Sequence, residues 1–220
     1  MERLPLFPLN TVLFPGMPIY LHIFEERYQL MIMRCIEQRM PFGVVMIHTG
    51  SEVQGLGPKA EPYPIGCTAH ITQVQELGDG RKNIVAIGHE RFQILRQHQD
   101  EPYLTGDVQI LLLQHPGETI LAEQSTHLRT AVERYLQALE KIDNTSLESP
   151  QLPDNPLSLM YLAASILRIP MVEKQALLGE NDALKLLKAL RELYRREVTL
   201  LDIMSVSISI GAAAGPFSLN

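Results

Sequence analysis

Few residues in this 220-residue sequence have the types and spacing that an active site requires. His48 and Ser51 lie three positions apart and come nearest to a base beside a nucleophile, as in hydrolases that use an activated serine. No Gly-x-Ser-x-Gly turn accompanies them. Glu25 and Glu26 are adjacent, so on a helix they point apart and make a poor acid-base pair. We therefore expect no catalytic residues.

The sequence also has no convincing motif for a nucleotide-binding site or a metal site. Residues 55–60 (GLGPKA) have the spacing of a dinucleotide-binding loop, but Pro58, Pro62 and Pro64 exclude the helix whose N-terminus must bind the pyrophosphate. No Gly-x-x-x-x-Gly-Lys loop occurs. The seven histidines, Cys35 and Cys67 form no pair at the usual metal-ligand spacings. We expect neither a cofactor nor a metal ion.

The charge balance argues against nucleic acid as a partner. The chain has 19 Lys and Arg against 25 Asp and Glu, and the net charge of −6 divides evenly between residues 1–115 and 116–220. Phosphate contacts depend on a basic surface. Two cysteines are too few for a disulfide-stapled secreted domain, the N-terminus resembles no secretory signal, and no apolar run reaches about 18 residues. We expect a soluble, cytoplasmic protein with no membrane partner.

The first half of the chain has the pattern of a β-rich domain with one embedded helix. It holds most of the glycines and prolines, separated by short apolar runs. Asp79-Gly80 predicts a tight hairpin, a slip in alternation at Val74 predicts a bulge, and an apolar stripe predicts a helix over residues 25–39. The predicted strands are Val12–Phe14, Ile19–Ile23, Gly43–His48, Ile65–Leu77, Asn83–Gly88, Arg91–Gln97 and Val108–Leu113.

Residues 116–203 have the pattern of a helical bundle. Leu121, Leu128 and Tyr135 recur every seven residues and predict a long helix over 118–142. A proline-rich, linker-like loop over 143–156 interrupts it, and Asn155 before Pro156 predicts the N-cap of the next helix. Further helices are predicted over residues 156–167, 172–178 and 182–203.

Residues 204–220 form a C-terminal tail in this interpretation. Met204, Val206, Ile208 and Ile210 alternate with serines, and a period of two predicts a strand. Such a strand belongs either to the edge of its own domain or to another chain, and the second arrangement would make the tail an element of self-association. The sequence therefore leaves both a monomer and a homo-oligomer as alternatives.

One stretch carries a more specific pattern than any of these. Residues 4–19 (LPLFPLNTVLFPGMPI) combine a Leu-Pro-x-x-Pro-Leu start, an apolar run and Phe-Pro-Gly. The helix at 25–39, the hairpin at 79–80 and a Gly88-x-x-Arg91 segment follow. This succession resembles the Lon protease N-terminal domain family over about residues 3–202.

The resemblance implies an α+β fold in which a PUA-like β-barrel subdomain (1–115) with one embedded helix precedes an α-helical bundle subdomain (116–203). It also implies recognition of protein substrates, because that is the role of this non-catalytic domain in full Lon enzymes. No Walker motif and no Ser-Lys protease dyad can be carried over, and the sequence stops where a relative would begin its ATPase. We therefore expect that this protein is not an enzyme.

The residues of the resemblance divide into two groups. We expect most to determine the fold, with Gly16 giving a positive φ or a close backbone approach and Arg91 ordering a turn by binding carbonyls or a carboxylate. We expect exposed apolar groups near the barrel mouth, together with the loop 50–64, to bind partners, since methionine suits varied apolar ligands. The fold-determining group is Pro5, Pro8, Pro15, Gly16, Gly66, Gly88 and Arg91, and the binding group is Phe14, Met17 and Tyr20.

The leading hypothesis is a non-catalytic protein-recognition module. It would bind unfolded or specific protein segments and act as an adaptor or regulator for a protease or chaperone system. An RNA-associated PUA-like binding protein is the alternative, which the even acidic charge disfavours. A small-molecule enzyme built on the barrel cavity lacks a convergent acid, base or nucleophile.

Overall fold

A computed structural model describes residues 2–51, 60–143 and 151–213, and shows a mixed α+β protein, which confirms the predicted fold class. Within that part, six strands form one sheet and five helices accompany it. The strands are β1 (Glu2–Leu9), β2 (Pro18–Ile23), β3 (Phe42–Thr49), β4 (Glu61–Gly78), β5 (Arg81–His98) and β6 (Thr105–Leu111). The helices are α1 (Glu26–Gln38), α2 (Glu118–Asp143), α3 (Pro156–Ile166), α4 (Met171–Gly179) and α5 (Ala183–Ala213).

The chain folds into two compact units that are discontinuous in sequence. The first groups Met1–Gln114 with Ala164–Asn181, and the second groups His115–Ala163 with Asp182–Asn220. Helix α4 therefore belongs with the strands. The division into residues 1–115 and 116–203, drawn along the sequence, stays a prediction.

The sheet closes on itself through the long strand β5. The strand order is β2-β5-β4-β3-β1-β6, and β5 also pairs with β6. The first half of β5 lies between β2 and β4, and its second half lies between β4 and β6. Between the halves the register with β4 shifts, and the Thr68 hydroxyl accepts a hydrogen bond from Glu90 N at 2.9 Å. Such a bulge bends a strand, which lets β5 change partners without a break.

This continuity corrects the prediction of two separate strands at 83–88 and 91–97, since residues 89 and 90 remain in β5. The hairpin at Asp79-Gly80 is confirmed, because both residues have positive φ (53° and 75°) and Gly78 pairs with Arg81. The predicted bulge near Val74 is also present, as a register shift between Ile71 and Gln73.

Strand β1 corrects a second prediction. Residues 12–14 are not a strand, and the first strand is Glu2–Leu9, which contains Pro5 and Pro8. Proline normally breaks a central strand because it cannot donate a hydrogen bond. Here β1 pairs with β6 only as far as Pro5 and with β3 only from Leu6 onward. Each half has one partner in the sheet, so both prolines lie at positions that resemble a sheet edge.

Helix α1 packs against one face of the sheet and closes the larger core. Its predicted apolar stripe is buried at Tyr28, Met31, Ile32 and Cys35. These residues join side chains from β1, β3, β4 and β5 in one cluster, and the rings of Phe7 and Tyr28 stack with centroids 4.0 Å apart. Burial of this apolar area is the main force that holds the helix to the sheet.

In the second unit, α2 buries the stripe predicted from seven-residue spacing at Leu121, Leu128 and Tyr135. Tyr135 and Tyr194 meet edge to face with centroids 5.3 Å apart, and the Tyr194 hydroxyl donates to Ala163 O at 2.9 Å. Ser158 N donates to Oδ1 of Asn155 at 3.0 Å, which confirms the predicted N-cap of α3. Across the described ranges, no helix combines the length and apolar character needed to cross a membrane.

The predicted C-terminal strand is wrong. Residues 204–213 continue α5 as helix, and residues 214–220 lie outside the described part of the chain. A helix that is already long gains one backbone hydrogen bond for each added residue. An isolated strand has no partner to supply that bond, so the alternation of apolar residues and serine does not decide the structure here.

Candidate protein-binding site

The turn that leads into β2 positions the exposed end of the candidate site. Gly16 N donates to Gly88 O at 2.7 Å, Gly88 N donates to Met17 O at 2.9 Å, and Met17 N donates to Phe14 O at 3.1 Å. A Cβ on Gly16 would meet no atom within 4 Å, so crowding does not require glycine at this position. Its φ of +79° does, because side chains with a Cβ rarely adopt that backbone conformation. A Cβ on Gly88 would lie 2.3 Å from the carbonyl oxygen of Phe14. Close backbone approach therefore requires glycine at position 88.

The three apolar side chains proposed for binding occupy different environments. Tyr20 projects from β2 with 76% of its surface exposed, which makes it available to a ligand. Met17 is half-buried and packs against the larger core. The exposure predicted for Phe14 is wrong, since only 1% of its surface is accessible. The Phe14 backbone carbonyl accepts a hydrogen bond from Met17 N and lies against Gly88.

A groove of about 590 Å³ runs over β2, β5 and β4 beside Tyr20. One row of polar side chains crosses all three strands: His22 Nδ1 lies 2.8 Å from Asn83 Oδ1, and Asn83 Nδ2 donates to Gln75 Oε1 at 3.3 Å. Residues that contribute to the lining include Tyr20, His22, Gln73, Gln75, Asn83 and Val85. The groove thus combines an aromatic side chain with amide groups that can both donate and accept.

Sequence inspection missed this groove, apart from Tyr20. Its members come from three separate segments, and the register of β2, β5 and β4 brings them together. The available signal was the alternation in β5, where Asn83 and Val85 are separated by the buried Ile84. Alternation predicts which residues share a face but not which strands are neighbours.

Arg91 performs the ordering role predicted for it, at a place the sequence did not indicate. Only 2% of its surface is exposed. Its Nη1 donates to Leu178 O at 2.8 Å and to Glu180 O, and its Nη2 donates to Asn181 Oδ1 at 3.3 Å. These acceptors surround the C-terminus of α4, where unsatisfied carbonyls favour a cation. Arg91 therefore fastens α4 to β5 within the first unit.

The other predicted motif residues lie in the framework of the same unit. Pro15 lies in the turn before β2, and Pro5 and Pro8 lie in β1. A Cβ on Gly66 would lie 2.5 Å from Val44 O and 2.8 Å from the Phe92 ring, so this glycine makes room inside the closed sheet. Of the loop 50–64, residues 52–59 lie outside the described residues.

The residues considered for catalysis in the sequence, His48 and Glu25, are not among those that line this groove. The His48 ring contacts Tyr63 with centroids 4.7 Å apart, and the Glu25 carboxylate pairs with Arg27 at 2.9 Å. Burial raises the pKa of the Cys35 thiol to about 11 and that of Cys67 to about 12. Both thiols are therefore protonated at neutral pH, and a thiol in that state is a weak nucleophile. Among the described residues no group of three His, Cys, Asp or Glu side chains could hold a metal ion.

Comparison with known proteins identifies the family to which this fold and motif pattern belong. The model of the ATP-dependent protease La (LON) substrate-binding domain matches residues 3–196. The chain belongs to this family. It is 26% identical over 205 residues to Lon protease 2 of Herpetosiphon aurantiacus and 28% identical over 205 residues to Lon protease of Brevibacillus choshinensis. These matches cover 91% and 92% of this chain but only 24% and 26% of the relatives, so the chain spans about a quarter of their length.

Solved structures of the family agree with the fold. A Lon N-terminal domain protein from Xanthomonas campestris superposes with a TM-score of 0.59 at 25% identity, covering 86% of this chain and 97% of that one. The N-terminal domain of a Mycobacterium avium complex Lon protease gives a TM-score of 0.60 at 18% identity, covering 88% and 98%. The substrate-binding domain is the only part of the Lon relatives that the comparisons match to this chain.

Proposed function

We propose that this protein is a non-catalytic recognition module that binds unfolded or specific protein segments. Membership of the Lon substrate-binding family supports this proposal. In this proposal the module acts in the cytoplasm as an adaptor or regulator that delivers or withholds substrates of a protease or chaperone system.

One observation carries the choice of surface: Tyr20 lies 76% exposed beside the groove over β2, β5 and β4. An aromatic ring with one polar end contributes much contact area at low entropic loss, and such residues dominate binding surfaces. Met17 is half-buried and packs with Ile19 and Leu21 against the larger core, so Tyr20 is the exposed member of the predicted group.

Fluorescence anisotropy with a labelled, reduced and carboxymethylated α-lactalbumin tests the proposal. Native α-lactalbumin with intact disulfides serves as the folded control. We expect binding of the unfolded form at tens of micromolar, in the range of weak recognition, and at least tenfold weaker binding of the folded form. Equal affinity for both forms, or no binding at 200 µM (on the order of ten times the expected Kd), would contradict the proposal.

A matched pair of variants locates the surface. Tyr20→Asp places a charge at the groove, and Leu112→Asp places one at a side chain of similar exposure (80%) beyond β6. Residue 111 pairs with Arg91, six residues along β5 from the partner of Tyr20, a separation of about 20 Å along an extended strand. We expect Tyr20→Asp to weaken binding about tenfold and Leu112→Asp to leave it unchanged. Similar losses for both variants would place the binding surface elsewhere.

A further inference from the structure

The free edge of the sheet lies at β2. Within the described residues β2 pairs only with β5, whereas every other strand has at least two partners in the closed sheet. An edge strand presents a row of backbone N–H and C=O groups without strand partners. Tyr20 and the groove lie beside this edge, because residues of β2 form part of the groove's lining.

The pairing with β5 indicates which backbone groups of β2 face outward. Met17 O accepts a hydrogen bond from Gly88 N, so position 17 bonds toward β5. In an antiparallel pair every second residue exchanges such bonds. The alternation then assigns Ile19, Leu21 and Ile23 to β5, while Tyr20 and His22 direct their N–H and C=O groups outward. Pro18 falls on the outward set, where a residue without an N–H leaves the pairing with β5 intact.

The edge lacks the devices that normally prevent strand addition. Natural edge strands are protected by charged side chains, prolines within the strand or bulges. The sequence of β2, PIYLHI, has no Asp, Glu, Lys or Arg, its proline is the first residue, and its register with β5 runs without a shift from Pro18 to Ile23. Positions 19 to 23 therefore form an edge with no Asp, Glu, Lys or Arg and no shift in register.

The adjacent groove indicates the chemistry of the occupant. Its nine lining residues include no Asp, Glu, Lys or Arg, and their polar side-chain groups are three amides, an imidazole and the Tyr20 hydroxyl. The next pair along β4 and β5, Glu76 and Lys82, is an ion pair in which Lys82 Nζ donates to the Glu76 carboxylate at 2.6 Å. A charged ligand would lose hydration here without gaining a partner of opposite charge. An uncharged segment is complementary.

We propose that an extended, uncharged protein segment binds by adding a strand to the outer edge of β2, with backbone hydrogen bonds to Tyr20 and His22. This inference rests on the proposed function and specifies its binding mode. Main-chain bonds provide affinity that is largely independent of sequence, and alternate side chains of the segment lie beside the groove and provide selectivity. The recognised state is then the extended backbone itself, which a folded protein does not offer.

N-methylated peptides separate backbone from side-chain recognition. The probe is a labelled peptide of alternating valine and threonine with no charged residue, methylated at the amides of either all valines or all threonines. In an added strand only one alternate set faces β2. We expect one methylated peptide to bind at least tenfold more weakly and the other to stay within about threefold, since each lost bond weakens binding by up to about tenfold. Equal effects of the two methylations, or no effect of either, would overturn strand addition.

Variants of the protein test the same hydrogen bonds by changing β2 in place of the peptide. Tyr20→Pro removes the outward N–H and retains the pairing of Ile19 and Leu21, whereas Tyr20→Val removes the ring and retains the N–H. We expect Tyr20→Pro to weaken peptide binding at least threefold more than Tyr20→Val, with both variants folded by circular dichroism. Equal losses would assign the effect to the ring alone and overturn the inference.

The outcomes distinguish this inference from the proposed function. Binding of unfolded α-lactalbumin without binding of the unmethylated peptide would contradict strand addition and leave the recognition function standing. Binding of neither would contradict both. Analytical ultracentrifugation of the free protein tests whether a second copy of this chain occupies the edge. A dimer that Tyr20→Pro dissociates would show that β2 of another copy covers the edge, and would overturn the proposal.

Discussion

The turn before β2 and the Gly88–Arg91 segment of β5 both contribute to the resemblance to the Lon family, yet they differ in what surrounds them. Arg91 is 2% exposed and donates a hydrogen bond to the C-terminal end of α4, while Tyr20, in the strand that follows the turn, is 76% exposed. The two regions also meet, because Gly88 lies against the Phe14 carbonyl. The difference teaches that a family pattern mixes residues that build the framework with residues that the framework presents. Burial and hydrogen bonds separate the two.

The largest effect is expected at Arg91. Arg91→Met removes the charged donor that binds the carbonyls of Leu178 and Glu180, and a lost bond of this kind costs about 1 to 3 kcal/mol. We expect a loss of about 4 kcal/mol in the free energy of unfolding, measured by urea denaturation. Arg96→Met on the exposed part of the same strand is the control and should change stability by less than about 0.5 kcal/mol. Equal stabilities of the two variants would remove Arg91 from the framework group.

The paired glycines give the next effect and compare the regions directly. Gly88→Ala places a Cβ against a backbone oxygen that cannot move freely, so we expect a loss of about 2 to 3 kcal/mol. Gly16→Ala has open space and only an unfavourable positive φ, so we expect about 1 kcal/mol. Urea denaturation of both variants checks the order, and a greater loss at Gly16 would refute the assignment of close approach to Gly88.

The buried thiols predict an alkaline loss of stability. Burial raises the pKa values of Cys35 and Cys67 from 9.0 to about 11 and about 12. The unfolded thiols therefore ionise first, so their contribution is complete below pH 9 and is lost as the pH rises toward 11 and 12. We expect a loss of about 1 kcal/mol per thiol by about pH 10, seen as the difference in unfolding free energy between wild type and the Cys35→Ala, Cys67→Ala double variant. Parallel pH profiles of the two proteins would contradict this expectation.

Tyr20 should have the smallest effect on stability and the largest on binding. Its exposed side chain makes little contact with the core, so Tyr20→Val should change the unfolding free energy by less than about 0.5 kcal/mol. Measuring stability and binding of unfolded α-lactalbumin on the same preparation checks the contrast. A destabilisation comparable to that of Gly88→Ala would place Tyr20 in the framework group instead.

Local signals in the sequence predicted most elements of this protein. The Asp79-Gly80 hairpin, the stripe of α1 and the Asn155 cap depend on residues within a few positions of each other, and all three are present. Elements whose state depends on partners were predicted less well. Pro5 and Pro8 lie in a strand because β1 changes partners between them, and residues 204–213 extend α5 although their pattern alternates.

The sequence by itself determined the α+β class, the family pattern and the amphipathic faces, because these follow from periodicity, turn chemistry and short motifs. Only the tertiary structure decided that Phe14 is buried and Tyr20 exposed, that Arg91 binds the end of α4, and that His22, Asn83 and Gln75 form one row beside a free strand edge. These facts depend on strand order, register and contacts between residues up to 90 positions apart. Hydrophobic burial and hydrogen-bond satisfaction act on the whole fold at once, so no local pattern contains them.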